Sequence, residues 1–558
     1  MSQALKTRLG LLFFSVFLLI AFLIGNLSKN NTRFDKANKS YIINTQISDV
    51  INSDKFYNQI KETREVSEID LLTKLDYDDY SLAYDASSKT YYYSIIENDS
   101  EFDPLLRFHF YDINSEIAFG VQNIPEDSIR DSYRFIVYTD QVFSEYNLVL
   151  TTLPLVEIHL DEQPENMEQP VGYEDVSAQI RLFDNRESVA NNRRVVKSQC
   201  MIHVRGATSR VLYPKNSYRI SLKYKSPGEA IRNNHISLLG MRQDDDWILY
   251  APYNDPEKIR NNLSHELWWR FGSHNNRFGI STGTKGHFVE LLLDGRYWGI
   301  YNLMHPIDAK QLSLNNTSNP ETTDYLYRSI IYEETTTQMF LDASGSNIAG
   351  KYELRWPENT TNTFTKWAPL SDYQQVMNAE NEEFLKNSTS AVDIDNAIDI
   401  WLFTNLTLAV DNVGKNVNYI AKYRDGKYTM LFSPWDLDQT WGNIWTEGTK
   451  LYTEVRLSPD TAMNVHEFGI SRSLELGMEG LAERIQNRYQ YLRSSELSDE
   501  AMKSLLAEYR ADVFDSGANK RDHDRWTDSS YKSDMTELEA FVLARLEYMD
   551  QYIASLGV

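Results

Sequence analysis

The stretch Leu408–Gly442, LAVDNVGKNVNYIAKYRDGKYTMLFSPWDLDQTWG, decides the fold of this chain. It follows an apolar run, DIDNAIDIWLFTNLTLAV at 393–410, whose stripe and leading Asp393 predict a capped helix. The chain leaves that helix at Asp411 and reaches Asn416 within one tight loop. VNYIAKY and YTMLFSP then predict two strands joined at Asp425-Gly426, a dipeptide suited to a hairpin turn. The return strand ends at Pro434 and delivers Trp435, Asp436 and Asp438 back toward the start of the loop.

Phosphoryl transfer needs parts of this kind. A cation neutralises the nucleotide phosphates, a carboxylate orients the attacking hydroxyl, and an Asn and an Asp hold Mg²⁺. Protein kinases write the loop as D-x-x-x-x-N, followed by a hairpin and a metal-binding Asp. Residues 411–416 read DNVGKN. Alone the motif recurs by chance, and Asp, Asn and Gly also suit an ordinary helix exit. Asp436 and Asp438 stand between Trp435 and Trp441, and partly desolvated carboxylates favour a cation.

Earlier in the chain, SYRISLKYK at 217–225 predicts a strand. Tyr218, Ile220 and Leu222 share one face, and Lys215, Arg219 and Lys223 the other; that basic face also fits a solvated strand. Residues 255–272, DPEKIRNNLSHELWWRFG, carry helix punctuation: Asp255 as cap, Pro256 at the first position and Gly272 at the end. Glu266 lies on that helix as a candidate partner for the cation, or as an exposed helix residue. GHFVELLLDGRYWGIYNL at 286–303 predicts a hairpin turning at Asp294-Gly295. His265 and His287 read as structural rather than as metal ligands, and the Trp268-Trp269 pair as core or interface.

In this order the segments RGATSRVLYPKNSYRISL (205–222), DDDWILYAPYNDPEKIRNNLSHEL (244–267), HFVELLLDGRYWGIYNL (287–303), LAVDNVGKNVNYIAKY (408–423) and FSPWDLDQTWG (432–442) resemble the CotH family, the spore-coat protein H kinase-like family. The resemblance covers residues 152–448, and helices in 449–558 complete the domain. It implies an atypical protein-kinase-like fold that binds ATP with a divalent metal, Mg²⁺ or Mn²⁺, and phosphorylates coat proteins; other members act in adhesion. By the same resemblance Asp411 matches the catalytic Asp, and Asn416 and Asp436 the metal ligands, with Asp438 a second carboxylate. Lys215, ahead of Arg219, matches the phosphate-facing cation, Glu266 its helix partner, and Arg205 with the following GATS a cover over the phosphates. His305 stands where the family carries Glu, before Ile307-Asp308.

Composition bounds the partners. The 558 residues carry a formal charge of −24, which makes the chain a poor candidate for sequence-independent nucleic-acid binding. The single cysteine, Cys200, rules out a disulfide framework within the chain and a multi-cysteine metal site, and reads as a buried thiol. At the N-terminus Lys6 and Arg8 precede an apolar run from Leu9 to Gly25 with no A-x-A cleavage site. Such a run makes a helix about 26 Å long, near the hydrocarbon thickness of a bilayer. The expectation is an uncleaved anchor within 1–28, N-terminus in the cytoplasm and bulk outside it. A stalk and a small β-rich module then occupy 29–151, with helix-like spacing over 46–75. The overall expectation is an α+β chain with a membrane-tethered kinase-like domain acting on an envelope or surface protein. The alternative is a non-catalytic surface protein that uses the same fold for binding, adhesion or assembly.

Overall fold

The structure is a computed structural model. It describes residues 41–42, 54–72, 74–77, 80–98, 108–110, 115–119, 132–224, 230–343, 345–358, 365–444 and 468–557. The apolar run 9–25 lies outside them. Among the described residues, no helix is long and apolar enough to cross a membrane.

The chain divides into two units. The first takes residues up to 159 with 182–195 and 292–298. In it, helix α1 (Asp54–Thr63) occupies part of the 46–75 region that shows helical spacing. Strand β1 (Thr90–Ser94) pairs parallel with β3 (Val142–Thr151), which pairs antiparallel with β2 (Ser132–Tyr138). Tyr91, Phe135, Tyr146 and Leu148 fill its core, with the Phe135 and Tyr146 rings stacked at 5.4 Å.

The second unit holds the 205–222, 244–267, 408–423 and 432–442 segments, while residues 292–298 of the 287–303 hairpin belong to the first. Strand β4 (Val195–Arg205) pairs antiparallel with β5 (Ser217–Tyr224), which pairs with β6 (Asp246–Tyr250). Residues Asn302–Met304 of β7 (Arg296–Met304) continue the sheet beside β6. Helix α2 (Arg260–Leu267) runs directly into a π-helical turn, Trp268–Gly272. Cys200 is buried on β4, as its strand context predicts.

A second antiparallel sheet has the order β9 (Tyr352–Trp356), β8 (Tyr325–Ser329), β10 (Val417–Arg424), β11 (Lys427–Pro434). Asp425 and Gly426, at φ 55° and 81°, form the β10–β11 turn, where both positions need a left-handed backbone. Helix α3 (Ile394–Thr407) is buried on every face from Asn396 onward, which makes it an interior helix. Its cap is the expected one: the Asp393 side chain accepts from the Asn396 amide at 3.2 Å. Ile248, Met304, Leu326, Ile420, Leu431 and Trp435 form a core that joins the strands of both sheets. Each such side chain, fully buried, contributes roughly 1.5–3 kcal/mol.

The C-terminal part is helical, as expected: α4 (Leu481–Arg493), α5 (Asp499–Arg510), α6 (Ala518–Arg525) and α7 (Thr536–Ala554). Helix α7 has a direct bearing on Asp411. Its Arg545 is fully buried and donates from Nε to the Asn405 carbonyl at 3.0 Å. The last carbonyls of a helix have no partner within it, so Arg545 satisfies the end of α3 from which the loop departs.

Candidate active site

Helix α3 stops at Thr407 because Leu408 turns left-handed, at φ 52°. One 3₁₀ turn, Val410–Asn412, then presents Asp411, only 7% exposed. Its Oδ2 accepts from Asn416 Nδ2 at 2.6 Å and lies 3.6 Å from the Lys415 ammonium. Its Oδ1 accepts from the Tyr332 hydroxyl.

The loop and the PWDLD segment converge. Asn412 Nδ2 donates to the carbonyls of Asn416 (3.1 Å) and Trp435 (2.7 Å). The Trp435 amide donates to the Asn416 carbonyl at 2.9 Å. Asn416 and Asp436 both adopt left-handed backbones, φ 56° and 59°, a conformation that Asn and Asp tolerate better than other side chains. Thus the two ends of the hairpin aim their oxygen-bearing side chains beside Asp411.

Asp436 is half-buried, and no described residue donates a hydrogen bond to its carboxylate. Burial pushes its pKa up, the charge on Asp411 pushes it further, and Arg205, Lys415 and Arg328 hold it back. Burial and the neighbouring Asp436 push Asp438 up to about 7, against hydrogen bonds from Asn254 and Gln439. Those bonds measure 2.7 and 3.2 Å. The Oδ1 of Asn416 also accepts nothing from a described residue. Crowded carboxylates with unused oxygen donors fit a hard divalent cation, which takes oxygen ligands and relieves the repulsion.

Cations face these acids. Arg205, at the end of β4, places its guanidinium 5.5 Å over the Trp435 ring. Arg328, from β8, lies 4.8 Å over the same ring and donates to Asn418 Oδ1 at 2.9 Å. Burial, then Arg355 and Arg205, push Arg328 down to about 9. Neither guanidinium has an ion-pair partner among the described residues. Arg328 is not among the residues picked from sequence. The signal lies in TYR-rich YLYRS at 325–329, where Arg328 shares its strand face with Leu326, which is 2% exposed. After Arg205, Gly206 takes φ 116°, and a Cβ there would sit 2.7 Å from Ser209 Oγ, so only glycine allows this close turn.

The other cations are engaged elsewhere. Lys215 has a fully buried side chain that pairs with Asp522 of α6 and donates to the Ile300 carbonyl at 2.7 Å. Lys258 approaches the same carboxylate at 3.8 Å, and the Ile300 amide donates to it at 2.9 Å. Arg219 forms a two-pronged pair with Asp246. Glu266 pairs with Arg270, one turn on, at 2.8 Å, and not with Lys215. Lys215→Met would leave Asp522 buried without its close counter-charge. We expect a loss of about 3–5 kcal/mol in stability, read from urea unfolding. Intact stability with lost nucleotide affinity would instead return Lys215 to the phosphates.

His265 and His305 are both buried. His265 faces Trp435 at 5.6 Å between ring centroids, and His305 bonds with Thr284 Oγ1 at 3.2 Å. Burial lowers their pKa values to about 3 and about 4. The unfolded chain therefore takes up protons that the folded chain refuses. The stabilisation is full above about pH 6.5 and is lost as pH falls toward 4. At pH 5 each histidine should cost roughly 2 kcal/mol. The melting temperature should fall less steeply with acid in His265→Gln than in the parent; equal slopes would refute the assignment.

A search of the curated proteins finds no match. A family model described as CotH kinase protein matches residues 202–549, which include every residue of the site just described. The match begins within β4, takes in the Asp411 loop and the 432–442 segment, and ends within α7, so the chain belongs to the CotH kinase protein family.

Proposed function

We propose that this chain is a membrane-tethered kinase-like enzyme that transfers phosphate from ATP to a hydroxyl of an envelope or surface protein, assisted by Mg²⁺ or Mn²⁺. The observation that carries the reading is the convergence of Asp411 with Asn416 and Asp436, faced by two guanidinium groups that have no ion-pair partner among the described residues. Arg205 and Arg328 hold the phosphate oxygens. Asn416, Asp436 and Asp438 supply the oxygens that would bind the divalent ion, whose charge offsets that of the phosphates. Asp411 is already a hydrogen-bond acceptor for the half-exposed Tyr332 hydroxyl. An acceptor hydroxyl takes that donor's place and passes its proton to Asp411. Its oxygen bonds to the γ-phosphorus as the bond to the bridging oxygen breaks, leaving ADP.

Calorimetry of the full chain in detergent should show ATP binding that requires Mg²⁺ or Mn²⁺. Absence of both heat and thermal shift would overturn the enzyme reading and favour the binding protein. In the same proposal, residues 9–25 anchor the chain with its bulk outside the cytoplasm. Alkaline phosphatase fused after Val558 should then be active in intact bacterial cells, and an inactive fusion would reverse the orientation.

A further inference from the structure

The π-helical turn after α2 does not belong to the site described above, and it opens on a different space. Glu266, Trp269, Arg270, His274, Lys285 and Glu496 line a cleft of about 680 Å³ in the second unit. That is the size of a small-molecule site. The π-helical backbone of 268–272 sends Trp268 into the core and Trp269 to the cleft wall. Such turns are rare and concentrate at functional positions.

We propose that this cleft binds a saccharide unit. The chemistry of its lining selects that class. Two carboxylates and two permanent cations share the wall, which leaves no net charge to select an anion or a cation. Glu266 and Arg270 neutralise each other at 2.8 Å. Glu496 has a buried Oε2 with no hydrogen-bond partner among the described residues, an acceptor that needs a donor. Lys285 stands 5.1 Å over the Trp269 ring with no carboxylate partner among the described residues, a donor that needs an acceptor. His274 meets the indole edge-on at 5.0 Å. A sugar answers all of these at once: each hydroxyl both donates and accepts, and its C–H face packs on an indole. A simple anion would meet Glu266 and Glu496, and a simple cation Arg270 and Lys285.

The test uses the full chain in a detergent without a sugar headgroup. The probes are maltose, cellobiose and N,N′-diacetylchitobiose at millimolar concentration, read by saturation-transfer NMR. At least one should show transfer to its ring protons. Trp269→Ala and Glu496→Ala should each weaken that binding by up to about tenfold. Asp436→Asn should leave it unchanged, so failure here is separable from failure of the phosphotransfer reading. The proposal is overturned if no disaccharide shows transfer, or if transfer ignores both substitutions. Adenosine giving the same Trp269-dependent signal would also overturn it, in favour of a nucleoside site. If Trp269→Ala does not fold, Glu496→Ala decides the matter alone.

Discussion

Asp411→Asn should lower phosphate transfer by about 10³-fold while leaving ATP affinity within about twofold of the parent, because general-base catalysis contributes on the order of 10²–10⁴ to rate. The reasoning rests on what the amide keeps. It has the same shape, and its oxygen still accepts from Asn416 or Tyr332, the partners that hold Asp411 now. It no longer takes a proton from an acceptor. Nucleotide affinity should not suffer, because the Asp411 charge is one of the two causes that raise the Asp436 pKa. Removing that charge makes Asp436 a readier anion for a metal ion. Incorporation of labelled γ-phosphate from ATP into the acceptor protein gives the rate; calorimetry gives the affinity. Transfer within tenfold of the parent would show that Asp411 is not the base.

The outline of this site was legible because its signals are local. Asp425-Gly426 specifies a hairpin turn in two residues, and the hairpin carries Trp435 back to Asn416 whatever else the fold does. Asp393 and the apolar run after it likewise mark α3 without outside help. The cations were not legible in the same way. Whether Lys215 faces a cleft or the interior depends on Asp522, 307 positions away in a helix that no strand pattern foretells. Glu266 follows the same rule: its helix was expected, but the helix phase that turns it toward Arg270 is set by packing. Arg328 depends on the pairing of β8 with β10, where it stands directly opposite Asn418. Long-range partners, not propensities, decide which charged side chains reach a site and which are buried in a pair.

Asp436→Asn should act in opposite directions on the free and the liganded protein. In the free protein the Asp436 carboxylate is half-buried, has no hydrogen-bond donor among the described residues and sits beside the charges of Asp411 and Asp438. The amide keeps the volume and removes the repulsion. The free variant should therefore be more stable at neutral pH, by on the order of 1 kcal/mol, with a higher melting temperature. With metal and ATP the sign reverses. Removing one member of a buried charge set costs roughly 2–5 kcal/mol, so metal-dependent ATP affinity should fall by about a hundredfold or more. A ligand at about a hundred times its Kd adds about 2.7 kcal/mol to the parent's stability, and almost none of this should remain in the variant. The two melting curves should thus cross: the variant melts higher without ligand and lower with it. A free variant that melts several degrees below the parent would make Asp436 a structural residue. A full ligand-induced shift in the variant would place the metal on other oxygens, of which Asp438 is the nearest described carboxylate in sequence. The crossing separates a metal ligand from a structural aspartate, because a group kept for ion binding weakens the fold until its ion arrives.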